Sequence, residues 1–162
     1  MYSKNCIYDY VQVNIGAADV DYEAGSNVLR YNIPQAAYYD IKRGPVASVA
    51  LVEASADDAT LLNYSVKWLN PAFNAYNTNN NGIEMGNLVH FATAGAVNGF
   101  KLNHSAPVEV MTTPKPNTIR FVITDEDDTT VKLDTGYFIF RFTYYDQDMI
   151  DMNLRNEAYK FL

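Results

Sequence analysis

Apolar and polar residues alternate with a period of two over much of this chain, the spacing that turns one face of an extended strand to a core and the other to water. In Ile7–Ile15, residues Ile7, Val11, Val13 and Ile15 share a face, broken by Asp9, while Tyr8, Tyr10, Gln12 and Asn14 share the other. Val28–Ile33 sets Leu29, Tyr31 and Ile33 against Arg30 and Asn32, and Pro34, which has no amide hydrogen to give a ladder, ends it. Val46–Ala54 is a nearly continuous apolar run, which predicts a strand covered on both faces. Leu61–Leu69 points Leu62, Tyr64, Val66 and Trp68 inward and Asn63, Ser65 and Lys67 outward. Leu88–Thr93 and Val108–Thr112 read as weaker strands, with Phe100 and Leu102 as a short extra one between them.

The clearest pattern is Ile119–Tyr145. Ile119, Phe121 and Ile123 share a face of one strand, and Phe138, Phe140, Phe142 and Tyr144 share a face of the next. Asp125-Glu126-Asp127-Asp128 between them predicts a solvated hairpin turn. Gly16–Asn27 is a polar connection, and Ala72–Asn87, with Asn77-Thr78-Asn79-Asn80-Asn81-Gly82, predicts a long surface loop. Eight candidate strands with almost no helical spacing predict an all-β fold, an eight-stranded antiparallel β-sandwich. An immunoglobulin-like sandwich needs only about seven strands in about 100 residues. The extra length therefore favours a single jelly roll. No composition shift marks a boundary, so residues 1–162 form one domain, with an N-terminal arm over about 1–27 and a C-terminal tail over about 147–162.

Composition supports the core. Hydrophobic residues at 48% against 19% charged exclude a disordered chain, and 13 Tyr with 8 Phe supply the flat side chains that strands accommodate well. A net charge of −7 repels phosphates, and the basic residues are scattered, so no direct nucleic-acid contact is expected. Cys6 is the single cysteine, which leaves no intrachain disulfide. The opening MYSKNCIYDY lacks the apolar run of a signal peptide, and no stretch approaches the roughly 18 apolar residues of a membrane span.

Candidate chemistry is sparse. His90 and His104 are the only histidines, too few for a multi-histidine metal centre of the kind some jelly-roll enzymes carry. There is no Gly-x-Ser-x-Gly elbow and no phosphate-cradling glycine loop. The Asp125–Asp128 run offers hard oxygen atoms to calcium, but without the spacing of a dedicated loop it reads as a turn. The expectation is a protein that is not an enzyme, with no catalytic residues, no cofactor and no metal.

Over about thirty residues the chain resembles a known family. Pro116-Asn117-Thr118-Ile119-Arg120-Phe121-Val122-Ile123-Thr124-Asp125-Glu126-Asp127, then Val131-Lys132-Leu133 and Tyr137-Phe138-Ile139-Phe140-Arg141-Phe142, is similar to the closing pattern of small single-jelly-roll capsid proteins. These belong to eukaryotic double-stranded DNA viruses: polinton-like viruses, virophages and nucleocytoplasmic large DNA viruses. Asp128 stands where the family often has Gly. The resemblance implies a virion structural protein, a penton or minor capsid component made in the host cytoplasm or nucleus. It implies homo-oligomers and other capsid proteins as partners, including a double-jelly-roll major capsid protein. Tyr2, Tyr22, Met149, Met152, Tyr159 and Phe161, in the two terminal segments, are the expected interface residues, because aromatic and Met side chains favour interface centres. The competing expectation is a carbohydrate- or receptor-binding β-sandwich, with Trp68 or tyrosines stacking on sugar rings.

Overall fold

The computed structural model describes residues 6–33, 46–57, 63–70, 82–91, 99–109 and 118–145, and all regular structure among them is β. The strands are β1 (Cys6–Asn14), β2 (Val20–Tyr22), β3 (Leu29–Asn32), β4 (Val46–Asp57), β5 (Tyr64–Trp68), β6 (Ile83–Phe91), β7 (Gly99–Ser105), β8 (Val108–Glu109), β9 (Thr118–Thr124), β10 (Thr130–Val131) and β11 (Tyr137–Tyr145). Three are short additions: β2 beside β3, β8 beside β4 and β10 beside β9.

The other eight pair as a nested set of antiparallel partners: β1 with β11, β3 with β9, β4 with β7 and β5 with β6. Rolling that set over brings β11 beside β4, β9 beside β5 and β7 beside β6. The resulting order, β1-β11-β4-β7-β6-β5-β9-β3, is that of a jelly roll, two Greek keys wound into facing sheets. Rings from strands that are not sheet neighbours meet across the middle. Trp68 of β5 lies 6.0 Å from Phe140 and 6.3 Å from Phe142 of β11, and Phe121 of β9 lies 5.1 Å from both Phe138 and Phe140. All five rings are fully buried, each contributing about 1.5–3 kcal/mol of apolar transfer plus the tilted ring contacts.

The apolar run of β4 has a specific cause. Its register with β11 slips between Ile139↔Glu53 and Phe140↔Leu51, a β-bulge that leaves one extra residue on β4. Inward positions change parity there, from Val49 and Leu51 to Ala54 and Ala56. The run reads as continuous because both parities reach the core.

Several sequence expectations need correction. Ile119–Thr124 and Tyr137–Tyr145 do not form one hairpin: β9 turns back only through β10, and the chain then crosses to the opposite sheet. Gly99–Ser105 is a full strand rather than a short extra one; of the expected Val108–Thr112 strand, Val108–Glu109 forms β8 and the rest lies outside the described residues. Part of the expected 72–87 loop is strand, since β6 begins at Ile83, and Val20–Tyr22 in the polar connection adds to β3. Of the expected N-terminal arm, Cys6–Asn14 is a strand paired along its whole length with β11, and residues 1–5 lie outside the described residues.

Candidate functional site

The acidic turn is built by its own backbone. Asp125 Oδ1 accepts hydrogen bonds from the amides of Asp127 (3.0 Å) and Thr129 (2.9 Å), and the Asp125 amide donates to the Thr129 carbonyl. Asp128 sits at φ 61°, the one non-glycine residue with positive φ among those described. Its carboxylate meets Lys67, whose ammonium donates to Oδ1. Lys67 is only 5% exposed, against the expectation that it faces water. Its stem lies on the outer face of the β5–β9 sheet, opposite Val122 in the ladder, and the head emerges at Asp128. One of the turn's four carboxylates is therefore already met by a cation of the chain itself.

A second feature is an open groove of about 720 Å³ on the same sheet, bordered by the β2–β3 connection and lined by Tyr22, Asn27, Val28, Leu69, Val122 and Lys132. Tyr22 is half-buried and held from both sides: its hydroxyl donates to the Leu133 carbonyl (2.8 Å) and accepts from the Leu133 amide (2.9 Å). Burial, more than the nearby Asp134 charge, pushes its phenol above the ordinary value of 10.0, although the Leu133 hydrogen bond works the other way. The Lys132 ammonium lies 4.9 Å over its ring. Asn27 donates to the Thr130 carbonyl. Two ion pairs stiffen this edge, Arg30 with Asp21 and Arg120 bidentate on Glu23 at 2.5 and 3.0 Å. The Arg120 hydrogen bond holds the Glu23 carboxyl below its usual range.

The third feature is β1. It ends the strand order, so among the described residues its second edge carries no strand. Tyr8 and Tyr10 on its outer face are 45% and 59% exposed, the exposed large hydrophobic residues of the described chain. The Arg141 guanidinium lies 5.2 Å over the Tyr8 ring, and Tyr10 is its cross-strand neighbour.

Of the expected interface residues, Tyr2, Met149, Met152, Tyr159 and Phe161 lie outside the described residues. Tyr22 is described, but as a half-buried strut against the core rather than an exposed arm side chain. Trp68, 1% exposed, stacks on core rings and cannot also stack on a sugar. His90 stands across from Phe100 and His104 across from Asn87, at different points of the β6–β7 ladder. Among the described residues no three His, Cys, Asp or Glu side chains are grouped to hold a metal, and no helix is long and apolar enough to cross a membrane. Tyr8 and Tyr10 are not among the expected interface residues, yet they are the exposed aromatics of the described terminal segment. The signal was present, two tyrosines on the polar face of the first strand. No family model matches this chain, and no curated protein matches it.

Proposed function

We propose that this protein is a virion structural component, a penton or minor capsid protein that works by packing against other copies and other capsid proteins. One observation carries the reading: the Ile119–Tyr145 segment that resembles the capsid family forms β9, β10 and β11, including two of the strands that close the jelly roll. A jelly roll seals most of its own strand edges and presents loops, remaining edges and terminal segments for assembly. The test is co-expression with a double-jelly-roll major capsid protein from the same genome, followed by mass spectrometry and imaging of purified particles. Stoichiometric incorporation supports the reading, and particles that form without this chain remove it.

A second reading, a carbohydrate- or receptor-binding sandwich, draws on the groove. Its volume lies in the range of small-ligand sites, and it combines an apolar floor of Val28, Leu69 and Val122 with Asn27 and Lys132 at the rim. A glycan array with clear hits that are lost in Asn27→Ala would favour it over the first.

A further inference from the structure

We propose that the groove beside the β2–β3 connection takes an acidic sugar, a pyranose bearing a carboxylate, with Lys132 as counter-ion and the Asn27 amide oxygen as acceptor for a ring hydroxyl. The inference rests on the carbohydrate-binding reading above and gives it a ligand class. It stands apart from whether the chain enters a particle.

Charge comes first. Two charged side chains line the groove, Glu23 and Lys132. The Glu23 carboxylate is committed within the sheet, because Arg120 donates to both of its oxygens. Lys132 is placed differently. Its ammonium lies 4.9 Å over the Tyr22 ring, an attraction that positions a cation without neutralising it. Tyr22 is itself held, since its hydroxyl donates to the Leu133 carbonyl and accepts from the Leu133 amide. Asp134 acts on the Tyr22 phenol through space but makes no ion pair with Lys132. The groove therefore offers a positioned cation on a chain of net charge −7. The rest of that charge acts weakly here: Arg30 and Arg120 are matched by Asp21 and Glu23 alongside, and exposed charges beyond about 8 Å are largely screened at physiological salt.

Shape and hydrogen bonding narrow the ligand further. About 720 Å³ is the size of a small-ligand site, and its floor of Val28, Leu69 and Val122 is aliphatic. A pyranose has a matching C–H face and a rim of hydroxyls. The Asn27 amide nitrogen donates to the Thr130 carbonyl (3.0 Å) and hydroxyl (3.3 Å), which leaves the amide oxygen to accept. The turn from Glu23 to Val28 adds donors. Its own hydrogen bonds use the amides of Glu23, Ser26 and Val28, while Ala24, Gly25 and Asn27 line the groove and bring theirs to it. Beside Gly25 the space is open, with no atom within 4 Å of where a Cβ would stand. A carboxylated sugar meets the cation, the acceptor, the amides and the floor together. A neutral sugar leaves Lys132 unused, and a simple apolar acid leaves the Asn27 oxygen unmatched.

The experiment titrates the full chain, isotope-labelled at its Val and Leu methyls, and follows Val28, Leu69 and Val122 by NMR. The probes are the methyl glycosides of glucuronic and N-acetylneuraminic acid, the neutral amide of each, and cyclohexanecarboxylate. At least one acidic glycoside is expected to shift these methyls with a Kd of about 1–10 mM. Its neutral amide binds about fivefold more weakly, and Lys132→Gln weakens the acid by a similar factor, the worth of one partly screened ion pair. Lys132→Arg retains binding, and Lys101→Gln on β7, which removes the same charge away from the groove, leaves it unchanged. Equal binding of acid and amide, or of wild type and Lys132→Gln, overturns the inference and leaves the sugar reading standing. Cyclohexanecarboxylate binding as tightly as the acidic glycosides reveals an anion site without sugar recognition and overturns it as well. If no glycoside, acidic or neutral, moves these methyls at up to about 100 mM, the inference and the sugar reading fall together.

Discussion

Asp128 and Lys67 define a double-substitution experiment in which two effects oppose each other. Asp128 holds a left-handed backbone at φ 61°, a conformation that disfavours a side chain by about 1–2 kcal/mol, less for Asp, and that Gly accepts freely. Glycine's greater freedom in the unfolded chain takes back about 0.4–1 kcal/mol. On backbone grounds alone Asp128→Gly is close to neutral or slightly stabilising. The same change, however, removes the partner of an ammonium whose side chain is 7% exposed. Stripping one partner from a fully buried pair costs about 3–5 kcal/mol. Because the Asp128 side chain is 38% exposed and water screens it, roughly 1–3 kcal/mol is the appropriate figure here. The single substitution is therefore expected to destabilise by about 1–2 kcal/mol. With Lys67→Met the buried charge is gone, and Asp128→Gly becomes neutral or stabilising. The coupling energy between the two sites is expected to be about 1–3 kcal/mol. Urea unfolding followed by the fluorescence of Trp68, the only tryptophan, measures all four proteins. A coupling energy below about 0.5 kcal/mol, the scatter of independent sites, would refute the argument that Lys67 depends on Asp128.

Phe140→Ala empties the centre of the ring cluster between Trp68 and Phe121 and is expected to cost about 3–5 kcal/mol, a fall of roughly 10 °C or more in melting temperature by calorimetry. Gly136 has φ 145°, and a Cβ there would come within 2.8 Å of the Ser55 carbonyl oxygen, so Gly136→Ala should lower stability while Asp134→Ala nearby leaves it within about 0.5 kcal/mol in the same urea assay. Tyr22→Phe leaves the Leu133 amide and carbonyl without their partner and should cost about 1–3 kcal/mol. The Tyr22 phenol is raised in the folded state, so its contribution is full below pH 10 and fades as pH climbs through the folded value; denaturation curves of wild type should weaken above pH 10 more steeply than those of Tyr22→Phe. Glu23 is the reverse case. Its lowered value means that the Arg120 pair stabilises above the ordinary 4.5 and is lost as pH falls through the folded value, a small acid sensitivity that Glu23→Gln should remove.

Much of the fold was legible because each strand carries its own address. Alternation in β1, β3, β5, β9 and β11 names the inward residues, and Val11, Val13, Leu29, Tyr31, Tyr64, Val66, Trp68, Ile119, Phe121, Phe138 and Phe140 are all buried as the pattern predicts. The alternation understates β7 because only Phe100 and Leu102 carry it, while Lys101, Asn103, His104 and Ser105 are polar and exposed. Lys67 was placed outward correctly in direction and wrongly in burial, since period-two spacing reports which face a side chain takes and nothing about what lies over that face.

The candidate surfaces divide in the same way. The tyrosines of β1 were visible as a polar-face pair, but that β1 stands at an edge depends on how eight strands pair at separations of up to 139 residues, Cys6 to Tyr145, which no local pattern encodes. Sequence by itself determined the fold class and the inward face of the strongest strands, because these rest on residue type and short-range spacing. Tertiary structure alone decided that β9 and β11 lie in opposite sheets, that a bulge switches the face of β4, that Asp128 neutralises a buried lysine and that β1 ends the order of the described strands. Each of these depends on which distant backbone groups find one another, and hydrogen-bond pairing across a sheet is blind to the distance along the chain.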